Sequence, residues 1–249
     1  MNFIYSLFVW PLLALNTVVL VVIGMVPLMF GVNIYMGLAR LWAKINMLIY
    51  TVRTRVEGLE KLDKNKNYVF MGNHLSYVDI FFLLSIIEQN VIFMAKEELF
   101  KIPVFGFGVR ALGLVPINRG ESKDALKSLF EAAKKIQSGY SVILFPEGTR
   151  SGDGNMLPFK RGAFTLAVRT GLEIAPFVLE GTSDTLKKGS FLAKPFRKAR
   201  VRFLDPVSPK GMKDRELLDL IRERMEIEQR ELRGAGTGEQ SGEEVTKPL

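Results

Sequence analysis

The chain of 249 residues contains no cysteine and one histidine, His74. These shortages exclude much. Without thiols there is no cysteine nucleophile and no disulfide, and one imidazole cannot complete a Cys/His zinc site; no metal is expected. An ordinary general base working near pH 7 has to be His74. No G-x-S-x-G stretch occurs, which argues against a serine acyl-enzyme. The segment from Met1 to Ala39 lacks any charged side chain, and Arg40 is the first. It also lacks the basic n-region and small-residue cleavage site of a signal peptide. What is abundant is positive charge, +8 overall. That favours an anionic partner such as nucleic acid, phospholipid headgroups or a phosphorylated or acidic carrier substrate. The basic cluster Lys187, Lys188, Lys194, Arg197, Lys198, Arg200 and Arg202 belongs to no recognisable nucleic-acid motif, so no nucleic acid is expected. It is either a solvated face or a docking surface for anionic lipid or an acidic carrier protein.

As one helix the uncharged run would reach about 58 Å, roughly twice the hydrocarbon thickness of a bilayer. A break is therefore expected, and Gly24 and Pro27 mark it. The first arm, Phe3 to Ile23, is nearly all apolar. The second, Pro27 to about Tyr50, gathers Asn33, Gly37, Arg40 and Lys44 on one face, the pattern of a helix lying in a membrane interface. Residues 1–50 are thus expected to form a two-helix membrane-anchoring hairpin, the plain alternative being a buried helical layer; the sequence leaves open whether the first arm crosses the bilayer or turns back within one leaflet, and the amphipathic second arm favours the latter. From residue 51 the composition is that of a globular domain. Strands are expected near Arg53 to Val56, Asn67 to Met71, Val91 to Ala95, Leu114 to Ile117, Ser141 to Phe145, Glu173 to Val178 and Ala199 to Leu204. The clearest helix is Ser122 to Gln137, and another runs from about Met212 to Leu232. Alternation of this kind implies an α/β fold, a largely parallel central sheet of about seven strands flanked by helices. The domain is expected over 51–233, followed by a disordered tail over 234–249.

Three stretches carry chemistry. In Asn73-His74-Leu75-Ser76-Tyr77-Val78-Asp79 a strand ends in a turn, Ser76 caps a helix and Asp79 sits in its first turn, able to hold the imidazole in one tautomer. In Phe145-Pro146-Glu147-Gly148-Thr149-Arg150-Ser151 a strand opens into a loop holding a carboxylate, a glycine, a hydroxyl and a guanidinium. A backbone N–H near Gly148 could meet an oxyanion there and Arg150 a phosphate, with Glu147 and Thr149 positioning the substrate or Arg150. In Gly113 to Arg119 (GLVPINR), Arg119 again lies just past a strand, as does Lys96. If the strands run parallel, His74, Arg150, Arg119 and Lys96 share the C-terminal rim where open α/β sheets bind ligands. One base, one orienting acid and three cations suit a phosphorylated substrate whose hydroxyl must lose a proton. Singly, each has a plain reading as a satisfied histidine, a solvated arginine or a turn. Their joint order at strand ends shifts the balance.

Taken together these blocks resemble the glycerolipid acyltransferase superfamily, and within it the 1-acyl-sn-glycerol-3-phosphate (lysophosphatidic acid) acyltransferases. The family's His-x4-Asp block is matched by His74 and Asp79, its glycine-to-arginine block by Gly113 to Arg119, its Phe-Pro-Glu-Gly-Thr-Arg block by Phe145 to Arg150, and its late proline block by Ile174-Ala175-Pro176-Phe177. The resemblance spans roughly Val69 to Val178 and implies acyl transfer from acyl-CoA or acyl carrier protein to the 2-hydroxyl of lysophosphatidic acid, giving phosphatidic acid. The acyl thioester is then a co-substrate and no cofactor is expected. The implied partner is a phospholipid membrane and the implied place a bacterial inner membrane, with the catalytic domain on its cytoplasmic face. Rival expectations are transfer to another lysophospholipid, hydrolysis of the thioester to free fatty acid, and a non-catalytic module binding anionic lipid.

Overall fold

The structure is a computed structural model that describes residues 2–117 and 122–238. Seven strands, β1 (Arg53–Glu57), β2 (Val69–Gly72), β3 (Val91–Lys96), β4 (Val115–Ile117), β5 (Ser141–Leu144), β6 (Ile174–Glu180) and β7 (Lys198–Phe203), form one sheet in the order β1-β7-β6-β2-β5-β3-β4. All pairings are parallel except β6 with β7. The α/β class and the largely parallel sheet follow the sequence closely, because the strands that need cover on both faces are written as unbroken apolar runs. β2 and β5 are buried at every position, as central parallel strands are. β7 instead alternates, with Ala199, Val201 and Phe203 buried between Lys198, Arg200 and Arg202, which suits a strand covered on one face near the sheet's edge.

Two apolar layers sandwich the sheet. On one side Phe70, Ile143, Phe177 and Phe203 pack with α1 (Asn2–Met29), α2 (Tyr35–Ile49) and α3 (Val78–Ile86). On the other, Val69, Met71, Val142 and Val178 pack with α5 (Ser122–Gln137), α6 (Gly162–Thr170) and α8 (Asp214–Gly238). The short helices α4 (Phe105–Ala111) and α7 (Thr182–Thr185) cover the ends. α8 runs on to Gly238, into the stretch expected to lack structure; residues 239–249 lie outside the described residues.

The hairpin differs from expectation in where it turns. α1 continues through Gly24 and Pro27 to Met29, and the reversal is made at Gly31 with φ +76°. Pro27 lies in the last turn, where a kink costs little and the following residues leave the helix anyway. Gly24 has a packing role: a Cβ there would stand 2.6 Å from Tyr35 Cζ, and the Tyr35 hydroxyl donates to Val21 O at 3.0 Å. Part of the polar face of α2 is also spent on protein, since Arg40 donates to the carbonyls of Glu88 and Gln89, and Asn33, just ahead of the helix, donates to that of Ala111. α1 lies along the domain: Ser6 Oγ accepts from Ala193 N near one end and Val21 covers Gly108 near the other. Its outer face leaves Phe3, Leu7, Phe8, Leu15 and Val22 exposed.

At the end of β2, Gly72 lets the chain pass directly beneath a ring, since a Cβ would fall inside Phe177. Gly72→Ala is expected to cost about 1–3 kcal/mol by overpacking, read as a lowered denaturation midpoint in detergent. Adding Phe177→Leu should return part of that loss; no coupling between the two would mean that the glycine serves something other than this contact.

Candidate active site

β2 ends at Gly72, and the next residue already extends the sheet by other means. The Asn73 side chain accepts from Leu179 N at 2.7 Å and donates to Leu179 O at 2.9 Å, standing in for a further rung against β6. His74 follows in a turn, and Asp79 in the first turn of α3 folds back onto it. His74 Nδ1 lies 2.8 Å from Asp79 Oδ2, which also accepts from the backbone N–H groups of Leu75 (2.7 Å) and Ser76 (2.9 Å). Asp79 Oδ1 accepts from the Thr182 hydroxyl at 2.5 Å. Asp79 is wholly buried, where an unpaired carboxylate would cost several kcal/mol. Four donors and no acceptor converge on it. The arrangement fixes Nδ1 as the donor to Asp79 and leaves Nε2, which has no partner among the described residues, as the acceptor. The imidazole is stacked on Phe145, centroids 4.0 Å apart and planes 13° off parallel, so its plane is set as well as its tautomer. About 9% of the side chain remains accessible.

β5 delivers the second loop beside the first. Glu147 was expected to steer Arg150 or the substrate. Its carboxylate instead serves the backbone, Oε1 accepting from His74 N at 2.9 Å and Oε2 from Leu157 N at 3.0 Å. Ser151 N donates to His74 O at 2.7 Å. The histidine's peptide groups are thus gripped from the neighbouring strand. Burial pushes the Glu147 carboxyl up to about 7, against the pull of its two amide donors and with Asp79 adding to the rise. The Gly148 N–H donates to Phe145 O at 2.9 Å, closing the turn with φ +70°. It is therefore not the donor for an oxyanion; the amides of Thr149 and Arg150, just beyond, have no acceptor among the described residues.

The Arg150 guanidinium lies 3.7 Å from the centroid of the Tyr77 ring. Its N–H groups meet no acceptor among the described residues, a fork held by stacking and open at its edge. Two cations that the motifs did not announce join it. Lys188 Nζ donates to Arg150 O at 2.6 Å, and the Lys160 side chain crosses Gly148, its Cε 2.9 Å from where a Cβ would stand. Lys96 ends β3 on the same rim, exposed and paired with Glu98 at 3.0 Å. With β5 between them, β3 and β2 are about 10 Å apart, so Lys96 stands further from the imidazole than the Arg150 loop does. Arg119 lies outside the described residues. Thr149 is exposed at the loop's tip. Among the described residues no three His, Asp or Glu side chains gather as a metal site would require. Sequence reasoning missed Thr182, Tyr77, Lys160 and Lys188. Of these only Thr182 carried a signal, since Glu180-Gly181-Thr182 at the end of β6 repeats the Glu147-Gly148-Thr149 that follows β5.

Glu147 has a pH signature. Its folded-state value of about 7 lies above the ordinary 4.5, so the folded chain holds a proton that the unfolded chain has lost. The stability this contributes is complete below about pH 4.5 and is lost as pH rises through about 7. Glu147→Gln should abolish that slope in denaturant titrations taken across the window. It should also cost about 1–3 kcal/mol, because an amide cannot accept from both backbone donors. Equal slopes in the two proteins would assign the titration elsewhere.

Comparison with known proteins bears on the same loops. Residues 53–180, which hold both of them, match the family described as Acyltransferase. A chloroplastic 1-acyl-sn-glycerol-3-phosphate acyltransferase of Brassica napus is 39% identical over 154 residues, 61% of this chain and 44% of the relative. The chain thus spans less than half the length of that plant protein. The alpha form from Mus musculus is 33% identical over 205 residues, covering 80% of this chain and 71% of its own. The crystal structure of the 1-acyl-sn-glycerophosphate acyltransferase PlsC from Thermotoga maritima superposes with a TM-score of 0.75 at 28% identity, covering 93% of this chain and 97% of that one. With over half of the chain inside the family's domain and the mouse relative matched along most of its length, the protein belongs to the acyltransferase family, with the 1-acyl-sn-glycerol-3-phosphate acyltransferases as its relatives.

Proposed function

We propose that the protein transfers a fatty acyl group from a thioester, carried by coenzyme A or acyl carrier protein, to the 2-hydroxyl of 1-acyl-sn-glycerol 3-phosphate, forming phosphatidic acid. The observation that carries this reading is the His74–Asp79 pair, with Nδ1 committed at 2.8 Å and Nε2 open, beside an arginine fork without an acceptor. His74 Nε2 takes the proton of the acceptor hydroxyl as its oxygen attacks the thioester carbonyl. Asp79 stabilises the imidazolium that forms. The amides after Gly148 receive the oxyanion. When the C–S bond breaks, the imidazolium returns its proton to the departing sulfur. Arg150, stacked on Tyr77, grips the phosphate with Lys188 and Lys160 adding charge nearby; Lys96 is assigned to the outer part of the same rim, and Arg119 is assigned to the phosphate from its sequence block alone. General-base chemistry supplies about 10² to 10⁴ in rate, and orientation by the loops supplies much of the rest.

The setting we assign is a phospholipid membrane surface. α1 is long and apolar enough to cross a bilayer, yet its contacts with Ala193 and Gly108 hold it flat against the domain. This supports insertion into one leaflet by its outer face rather than a crossing. A bacterial inner membrane with the domain on the cytoplasmic side belongs to the same proposal, since a chain without thiols and with a soluble acyl donor fits that compartment.

Purified protein in detergent, given labelled acyl-CoA and a panel of lysolipids, is expected to esterify lysophosphatidic acid. His74→Ala should fold and lose about 10² to 10⁴ in turnover. Arg150→Ala should raise KM for the phosphate-bearing acceptor about 10- to 100-fold, the worth of a charge-assisted contact. Fatty acid released at the same rate without an acceptor would make the protein a hydrolase, and substantial activity in His74→Ala would remove the base.

A further inference from the structure

The segment between α7 and β7 carries apolar side chains that the proposed chemistry does not use. Phe191 is 79% exposed, Phe196 72% and Leu192 46%. One exposed phenyl group needs no explanation; here two lie within six residues and adjoin a larger apolar surface. Phe191 packs edge-on against Trp10, centroids 6.1 Å apart, so the patch runs on into Phe3, Leu7 and Phe8 on the outer face of α1. A continuous apolar surface of that kind marks an interaction site.

The segment is also held in place. Ala193 N donates to Ser6 Oγ at 2.9 Å, Trp10 Nε1 to Phe191 O at 2.8 Å, and Phe196 N to Thr51 Oγ1 at 2.9 Å. Phe196 has φ +56°, left-handed backbone that an aromatic residue adopts only when its surroundings enforce it. Here the enforced conformation turns the ring outward. Lys194 and Arg197 are exposed between and beside the phenyl groups, with no acidic partner among the described residues. At its other end the segment touches the active site: Leu186 O accepts from Ser76 Oγ at 2.8 Å, and Lys188 Nζ reaches Arg150 O.

We propose that Phe191, Leu192 and Phe196, with Lys194 and Arg197, form a second bilayer contact, separate in sequence from α1. The rings enter the headgroup boundary, the two cations meet anionic phospholipid, and the segment between fixes the tilt at which the Arg150 loop faces the lipid. Aromatic and basic side chains alternating on one rigid loop match the chemistry of an anionic interface, and continuity with α1 selects a bilayer over an acidic carrier protein as the occupant. The inference rests on the membrane setting proposed above.

Because the chain has no cysteine, single substitutions give unique spin-label sites in the whole chain. Phe191→Cys, Phe196→Cys, Phe8→Cys on α1 and Arg230→Cys on α8 are labelled with a nitroxide. Each is reconstituted with vesicles of phosphatidylethanolamine and phosphatidylglycerol, and depth is read from relaxation by oxygen against a water-soluble nickel complex. Labels at 191 and 196 should report immersion of about 5 to 10 Å, with 230 in water. If 8 is immersed while 191 or 196 is as wet as 230, this inference fails and the membrane setting stands. If 8 is also wet, both fail. Shielding of 191 and 196 by acyl carrier protein and not by vesicles would assign the patch to the acyl donor and overturn the proposal.

Discussion

The arrangement of the site depends on how one buried carboxylate is satisfied. Asp79 accepts from an imidazole, two backbone N–H groups and a hydroxyl. Hydrogen bonds to a charged group are worth about 1.5–3 kcal/mol each, and together they offset the several kcal/mol that its burial costs. Each of those bonds also fixes a geometry. The two amides tighten the turn between β2 and α3, the hydroxyl draws in the chain that leaves β6, and what remains of the acceptor capacity sets the histidine tautomer. Local folding and catalytic preparation are one set of contacts.

The strand order explains why a sheet can do this so economically. β2 lies between β5 and β6, and each neighbour ends in a Glu-Gly-Thr turn whose glycine has positive φ. The turn after β5 supplies a carboxylate to the His74 amide, and the turn after β6 supplies a hydroxyl to Asp79. The two turns use different members of the same tripeptide to hold opposite ends of the histidine loop. The cations are then free to face outward, and stacking on Tyr77 rather than an ion pair holds Arg150 in place.

Much of this was readable from residue order. Strand-length runs, unbroken and apolar in the central strands and alternating in β7, placed all seven strands to within a residue or two, because central strands are covered on both faces and outer ones on one. His74 and Asp79 were legible because a lone histidine and an acid in the next helical turn leave few other pairings. Other features were not. Gly24 and Pro27 look like a helix break, and only the Tyr35 ring lying over Gly24 shows the glycine as a point of close approach. Glu147 beside an arginine suggests an ion pair, whereas its partners are backbone amides that no side-chain pattern announces. Lys188 reads as one member of a basic surface cluster until the chain after β6 folds back onto the Arg150 carbonyl. Contacts made through backbone atoms, or across long loops, leave no periodic trace.

The bonds that hold His74 join residues 73, 103 and 106 positions apart. Closing such loops is entropically costly and belongs to the later stages of assembly for a parallel sheet. No fragment comprising only the first half of the sequence can hold the imidazole in its working orientation. The geometry around the imidazole is therefore acquired together with completion of the sheet, and an incompletely synthesised or misfolded chain carries the histidine without the contacts that orient it.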